Sequence, residues 1–216
     1  MASVDMPTTD STDSHLGAIG ILAFGSLISD PGVEIGPLIV ARIETQTPFP
    51  VEYARLSATR GGSPTAVPHS SGCPVKAQVL RLADTVSLAE ARNLLWRRET
   101  RTEGSRSAYR IRKAPNAVLV RTLQDCCGLK HVVYVDFNPE GKIAVPTPDL
   151  LATAAINSVA TAEVGKDGIS YLLGLRQSGV ETTMTPLYVA EILARTGAVD
   201  LVDALGRLRS ARHSDA

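Results

Sequence analysis

Short apolar runs broken by glycine and proline fill the first two-thirds of the chain, and apolar residues at helical spacing fill the last third. Ile19 to Phe24 reads as a buried strand that stops at Gly25-Ser26. Leu38–Glu44 and Val51–Ser57 read as two more strands, separated by Pro48 and Pro50. Arg60 to Gly72 carries Gly61, Gly62, Pro64, Pro68 and Gly72, which predicts a rigid loop, long enough to be functional. Val75–Leu82 alternates apolar with polar, as a half-buried strand does. Ala117–Leu123 and His131–Phe137 form a strand pair turning through Cys127-Gly128. Between these, Leu88 to about Arg98 reads as a helix, opened by the capping box Ser87-x-x-Glu90. Later helices are predicted near 149–163, 168–178 and 187–196. Thr147, Asp167 and Thr185 are their caps, and Gly179 and Gly197 are stops. Strands first and helices last favour an α+β fold over regular βαβ alternation.

The ends differ from this body. Residues 1–16 are polar and rich in Ser, Thr and Asp, so a disordered tail is expected. One domain over 17–208 and a flexible 209–216 complete the division. The chain has 216 residues, enough to bury a core without disulfides or metals. Charge is balanced, with 22 Lys+Arg against 22 Asp+Glu, which argues against a nucleic-acid-binding face. No apolar run reaches ~18 residues, so no membrane span is expected. The start of the chain lacks the basic-then-apolar pattern of a signal peptide. Three cysteines, two of them adjacent, suit a reducing compartment and a cytoplasmic location better than a disulfide framework. His15, His69, His131 and His213 have no metal-type spacing, so neither a metal nor a cofactor is expected.

Candidate chemistry begins with Glu99. At ~100° per residue it lies about 20° around the helix from Leu88 and about 40° from Leu95. Its carboxyl therefore leaves the helix on the apolar side, at the C-terminal end, where burial and the helix dipole both favour the neutral acid. A group so placed suits general acid/base work. The alternative is that Glu99 pairs with Arg98, Arg97 or Arg92, or that the helix frays before it. Phe24-Gly25-Ser26-Leu27 follows the first strand. Glycine there permits a tight turn whose amides can form an anion-binding nest, or simply end the strand. No Walker lysine, G-x-G-x-x-G or G-x-S-x-G is present, so Ser26 is a poor nucleophile candidate and nucleotide motifs do not fit. Cys126-Cys127 is a reactive pair or an incidental one. Arginines 92, 97, 98, 101, 106, 110 and 112 make a local cluster. It reads as a solvated face or as attraction for an anionic substrate.

Taken in order, these pieces resemble the gamma-glutamylcyclotransferase superfamily, and most closely its ChaC-like branch. The matching residues are Phe24-Gly25-Ser26-Leu27-Ile28 with Pro31-Gly32, Thr59-Arg60-Gly61-Gly62, Pro64-Thr65 and Gly72-Cys73. They continue with Leu95-Trp96-Arg97-Arg98-Glu99, Pro146-Thr147-Pro148 and Gly168-Ile169-Ser170-Tyr171-Leu172. The resemblance spans about 18–180 and implies a small mixed β-barrel with helices packed around it. It implies release of 5-oxoproline from a γ-glutamyl small molecule, glutathione in the ChaC-like branch. By resemblance, Glu99 is the catalytic acid/base and the amides of Gly25, Ser26 and Leu27 hold the substrate α-carboxylate. Phe24, Arg60, Tyr109 and Tyr171 complete the binding set. Phe24 replaces a tyrosine of the family motif, and Thr100–Ala108 is longer and more polar than the family pattern.

Such a reaction explains how a chain with no triad could be an enzyme. The substrate's own α-amine attacks its γ-carbonyl and closes a lactam, so the nucleophile arrives tethered. The protein supplies one proton carrier and a bent substrate pose. Two other readings remain open: a cyclotransferase for another γ-glutamyl amine, and a non-catalytic γ-glutamyl-binding module.

Overall fold

A computed structural model of the chain describes residues 19–214, so the expected tail at 1–16 lies outside the described residues. The strands are β1 (Ile19–Ala23), β2 (Ile39–Gln46), β3 (Val51–Ser57), β4 (Ser63–Pro68), β5 (Lys76–Leu82), β6 (Val118–Cys126) and β7 (Leu129–Phe137). The helices are α1 (Leu88–Thr100), α2 (Pro148–Thr161), α3 (Gly168–Gln177), α4 (Thr185–Thr196) and α5 (Leu201–Ser214). The fold is α+β. Five strands form one mixed sheet in the order β2-β5-β1-β7-β6, with β1 and β7 parallel and the other neighbours antiparallel. β3 and β4 form a separate antiparallel ribbon. Among the described residues no ladder joins the edge strands β2 and β6 into a closed barrel.

Alternation along the strands divides the apolar residues. Ile19, Ile21 and Ala23 face a core shared with Leu94 and Leu95 of α1 and Val133 and Val135 of β7. Leu22, Val79 and Val132 face the other side of the sheet. A second large core joins Val51 and Tyr53 of the ribbon to α2, α3, α4 and α5. The ribbon is thus the partition between the sheet and the helical end: Ala54 and Val67 belong to the first core, Val51 and Tyr53 to the second.

That partition depends on one irregularity. Tyr53 pairs with Ala66, yet Arg55 pairs with Thr65. Two residues on β3 thus advance only one on β4, as in a β-bulge. Adjacent partners on β4 point to opposite faces, so the bulge turns Arg55 away from the face that Tyr53 uses. Without it, Arg55 would point into the helical core.

Most caps form as the sequence predicts. Thr147 Oγ1 accepts from Leu150 N–H and Asp167 Oδ1 from Ser170 N–H. The β6–β7 turn places Cys127 and Gly128 at φ 54° and 76°, the left-handed pair that a two-residue hairpin loop requires. Three expectations need correction. Only half of the predicted capping box forms: Ser87 Oγ accepts from Glu90 N–H, but the Glu90 carboxylate is engaged by Arg97 and Asn93. Thr185 does not cap α4; its hydroxyl accepts from Thr182 N–H, and Met184 takes the cap position. The 60–72 loop contains β4, whose two prolines are tolerated because a two-stranded ribbon leaves edges free of ladder bonds. Helix α5 runs to Ser214. Asp200 Oδ1 accepts from Asp203 N–H at its start.

Candidate active site

Helix α1 carries Glu99 in its last turn. Thr100 Oγ1 donates to the Trp96 carbonyl at 2.8 Å, and Arg101, in left-handed conformation at φ 56°, closes the helix by donating its N–H to the carbonyls of Arg97 and Arg98. The helix therefore does not fray before Glu99. The glutamate is one-fifth exposed and its Oε1 accepts from Arg98 Nη1 at 2.7 Å. The two other arginines considered as partners are engaged elsewhere. Arg97 holds Glu34 at 2.8 Å and Glu90 at 2.9 Å, and Arg92 donates to Thr122.

Arg98 also joins two elements. Its Nη2 donates to the Asp30 carbonyl at 2.7 Å and reaches Ser26 Oγ at 3.5 Å. The guanidinium thus fixes the segment after β1 at a set distance from Glu99. That segment makes a 3-10 turn over Gly25–Leu27, entered through Gly25 at φ +74°. In such a turn the first amides, those of Gly25 and Ser26, have no partner within the turn itself. A side chain at residue 25 would be strained, and its Cβ would sit 3.2 Å from the Tyr171 hydroxyl.

Tyr171 comes from the first turn of α3, which Asp167 caps. Its hydroxyl accepts from Ala66 N–H of β4 at 3.3 Å. Burial pushes the phenol's pKa up, with the Ala66 amide and Arg60 opposing, so it stays a neutral donor at ordinary pH. The Arg60 guanidinium lies 4.9 Å from the centre of the Tyr171 ring.

These groups meet around one hollow of about 340 Å³ between α1, the ribbon and the 3-10 turn. Ser26, Arg60, Glu99 and Tyr171 all line it. The other expected residues are placed differently. Gly25 backs onto the Tyr171 hydroxyl. Leu27 is buried in the first core. Phe24 packs edge-on against Phe49, with ring centres 5.8 Å apart. Tyr109 lies outside the hollow, its hydroxyl accepting from Val120 N–H and its own N–H donating to Asn93.

The hollow also holds groups that sequence reasoning did not single out. Arg55 enters it because of the β-bulge and stacks over Phe137, 4.1 Å from the ring centre. Its Nε is buried without a hydrogen-bond partner. Burial draws the Arg55 pKa down, while the Glu99 charge opposes that shift. A lone arginine in the apolar run Val51–Ser57 was the available signal, but pairing alternation alone puts it on the wrong face. Arg98 is legible as a partner of Glu99 and as one of the clustered arginines. With Arg101 at the rim, four cations surround one carboxylate. Such a pocket suits an anionic ligand and a proton carrier together. Among the described residues no group of three His, Cys, Asp or Glu could hold a metal ion. Cys126 and Cys127 sit at the β6–β7 turn, away from the hollow, and burial pushes the Cys126 thiol up to about 11.

No protein-family model and no curated protein matches the chain. Among solved structures it is similar to a gamma-glutamyl cyclotransferase specific to glutathione from yeast, at 12% identity and a TM-score of 0.39. The match covers 91% of this chain and 100% of that one. At that distance the likeness carries no functional argument. Among the described residues, no helix is long and apolar enough to cross a membrane.

Proposed function

We propose that the hollow is the active site of a gamma-glutamyl cyclotransferase that releases 5-oxoproline, with glutathione as the first substrate to test. One observation carries this reading. Glu99, Ser26, Arg60 and Tyr171 are far apart in the chain, stand in the ordered sequence motifs, and share one sheltered hollow. Each has a role the reaction needs. The amides of Gly25 and Ser26, with Arg55 and Arg60, hold the substrate α-carboxylate and so aim its amine. Glu99 takes a proton from that amine as nitrogen attacks the γ-carbonyl carbon. The buried phenol of Tyr171 donates to the oxygen on which negative charge develops. As the original amide bond breaks, Glu99 returns the proton to the departing nitrogen. The contact from Arg98 Nη1 at 2.7 Å holds the Glu99 carboxyl in position for both transfers.

The same proposal covers a single domain over 17–208, the ChaC-like branch and a cytoplasmic location, the last supported by three free cysteines. A cyclotransferase for a different γ-glutamyl amine has one observation in its favour, the long arginine-bearing segment after α1.

The test is release of 5-oxoproline by purified protein from glutathione and a panel of γ-glutamyl amino acids. Glu99→Gln is expected to lose about 10²–10⁴ in rate, the usual worth of general acid–base catalysis. Undiminished turnover in that variant would falsify the assignment. Binding without product from any member of the panel would replace it with the binding-module reading.

A further inference from the structure

A second hollow, of about 230 Å³, adjoins the first. Thr100 and Val118 line both. Its other walls include Trp96, Arg110, Arg112 and Asn116. Trp96 and Thr100 are one helical turn apart on α1, so the second hollow begins at the residue beside Glu99. Ligand cavities usually measure roughly 300–1,000 Å³, so the first is at the small end, and a ligand that extends past Thr100 and Val118 would use the second as well.

The arginine segment is anchored on both sides. Tyr109 N–H donates to Asn93 Oδ1 at 2.9 Å, and the Ala114 carbonyl accepts from Ala117 N–H at 2.9 Å and Asn138 Nδ2 at 3.2 Å. Between these anchors Arg110 and Arg112 line the hollow, while Ile111 is 77% exposed and points elsewhere. None of the ion pairs found among the described residues involves Arg110 or Arg112. Two cations beside a tryptophan and an asparagine, with no carboxylate of the protein lining that hollow, are arranged for a carboxylate that arrives from outside.

We propose that Arg110 and Arg112 bind a carboxylate on the leaving-amine portion of the substrate, making the enzyme selective for γ-glutamyl compounds with an anionic tail. This rests on the cyclotransferase reading, because Glu99 must reach the departing nitrogen. The leaving portion therefore lies on the Glu99 side, and the neighbouring hollow past Thr100 is the space it would extend into. The arginines act on specificity rather than on the bond-making step.

The experiment compares glutathione with glutathione carrying a carboxamide in place of its glycine carboxylate, in wild type and in the double variant Arg110→Gln/Arg112→Gln. Wild type is expected to favour the carboxylate at least tenfold in kcat/KM, mainly through KM, and less so as salt rises. The double variant is expected to bring the two substrates within about twofold while leaving turnover of the amide and the melting temperature unchanged. Parity in wild type, or a preference that survives the double variant, overturns the subsite while the cyclotransferase reading stands. If neither compound yields 5-oxoproline, the cyclotransferase reading fails and calorimetric binding of the same pair decides the subsite. Carboxylate-selective binding that the double variant abolishes upholds the anion site; equal or absent binding ends it.

Discussion

Glu52 and Glu99 are both held largely out of water, and they are used in opposite ways. Glu52 on β3 is 0% exposed. Its carboxylate accepts from Thr182 Oγ1 at 2.6 Å, from Tyr53 N–H at 2.8 Å and from Met184 N–H at 3.0 Å. Every neighbour of that carboxylate is protein, and it ties the ribbon to the start of α4. Glu99 is one-fifth exposed, and the hydrogen bond found for its carboxylate is from Arg98, with the rest of the group facing a hollow. A buried charge whose acceptor capacity is filled by backbone and hydroxyl donors is a structural tie. A sheltered charge with capacity to spare, opposite unpartnered donors such as Arg55 Nε, is arranged for something that comes and goes.

The largest effects should separate along that line. Glu99→Gln is expected to abolish most turnover with a melting temperature within about 2 °C of wild type, since a polar amide replaces a partly exposed acid. Glu52→Ala should do the reverse. It strands one hydroxyl and two N–H donors and leaves a cavity, a loss of about 3–5 kcal/mol. For a chain of this size that lowers the melting temperature by about 6–20 °C. Protein that remains folded should keep near-normal kcat. Thermal melts and initial rates on both variants make the check, and a stable Glu52→Ala would break the comparison.

A middle-sized effect tests whether the hollow is built at a cost to stability. Arg55 is a charged group with its Nε buried and unpaired, so its removal relieves a desolvation penalty. Arg55→Met keeps the stem that stacks on Phe137 and removes the charge. Stability is expected to hold or to rise by a few degrees in melting temperature. KM should rise about ten- to hundredfold, with a smaller change in kcat, because a charge-assisted contact to substrate is lost. A fall in stability without a rise in KM would make Arg55 a structural residue like Glu52.

Most of the elements were legible from local pattern. The strand Val51–Ser57 and the helix starts after Ser87, Thr147 and Asp167 follow from alternation and capping chemistry. What was not legible depends on contacts distant in sequence. β4 is hidden by Pro64 and Pro68, and only its pairing with β3 makes it a strand. Thr185 looks like a cap until Glu52, more than a hundred residues earlier, recruits Thr182 and draws its hydroxyl into the same cluster. The site divides likewise. Glu99 and Ser26 stand in recognisable motifs, whereas Arg55 reaches the hollow only through a one-residue bulge. Tyr109 shows the converse: it stands in a motif, yet its hydroxyl is spent on Val120 N–H.

The smallest effect concerns a third glutamate, as sheltered as Glu99 but with both carboxylate oxygens engaged by the protein. Glu34 accepts from Arg97 Nε at 2.8 Å and from Gly104 N–H at 3.0 Å, so it pins the segment after α1 to the loop before β2. The Arg97 guanidinium holds the Glu34 carboxyl below the ordinary carboxylate range, and partial burial opposes this only in part. A depressed folded-state pKa stabilises the protein above the unfolded value of about 4.3, and that contribution disappears as pH falls through the lower folded value. Wild type should therefore lose more stability than Glu34→Gln as pH falls below about 4.3, read from urea midpoints at each pH. At pH 7 the variant should be the less stable of the two. Equal acid slopes would show that the Glu34–Arg97 contact contributes nothing beyond a surface pair. A steeper slope in wild type would instead place Glu34 with Glu52, as a carboxylate that fastens one segment of chain to another and so steadies the segment carrying Arg110 and Arg112.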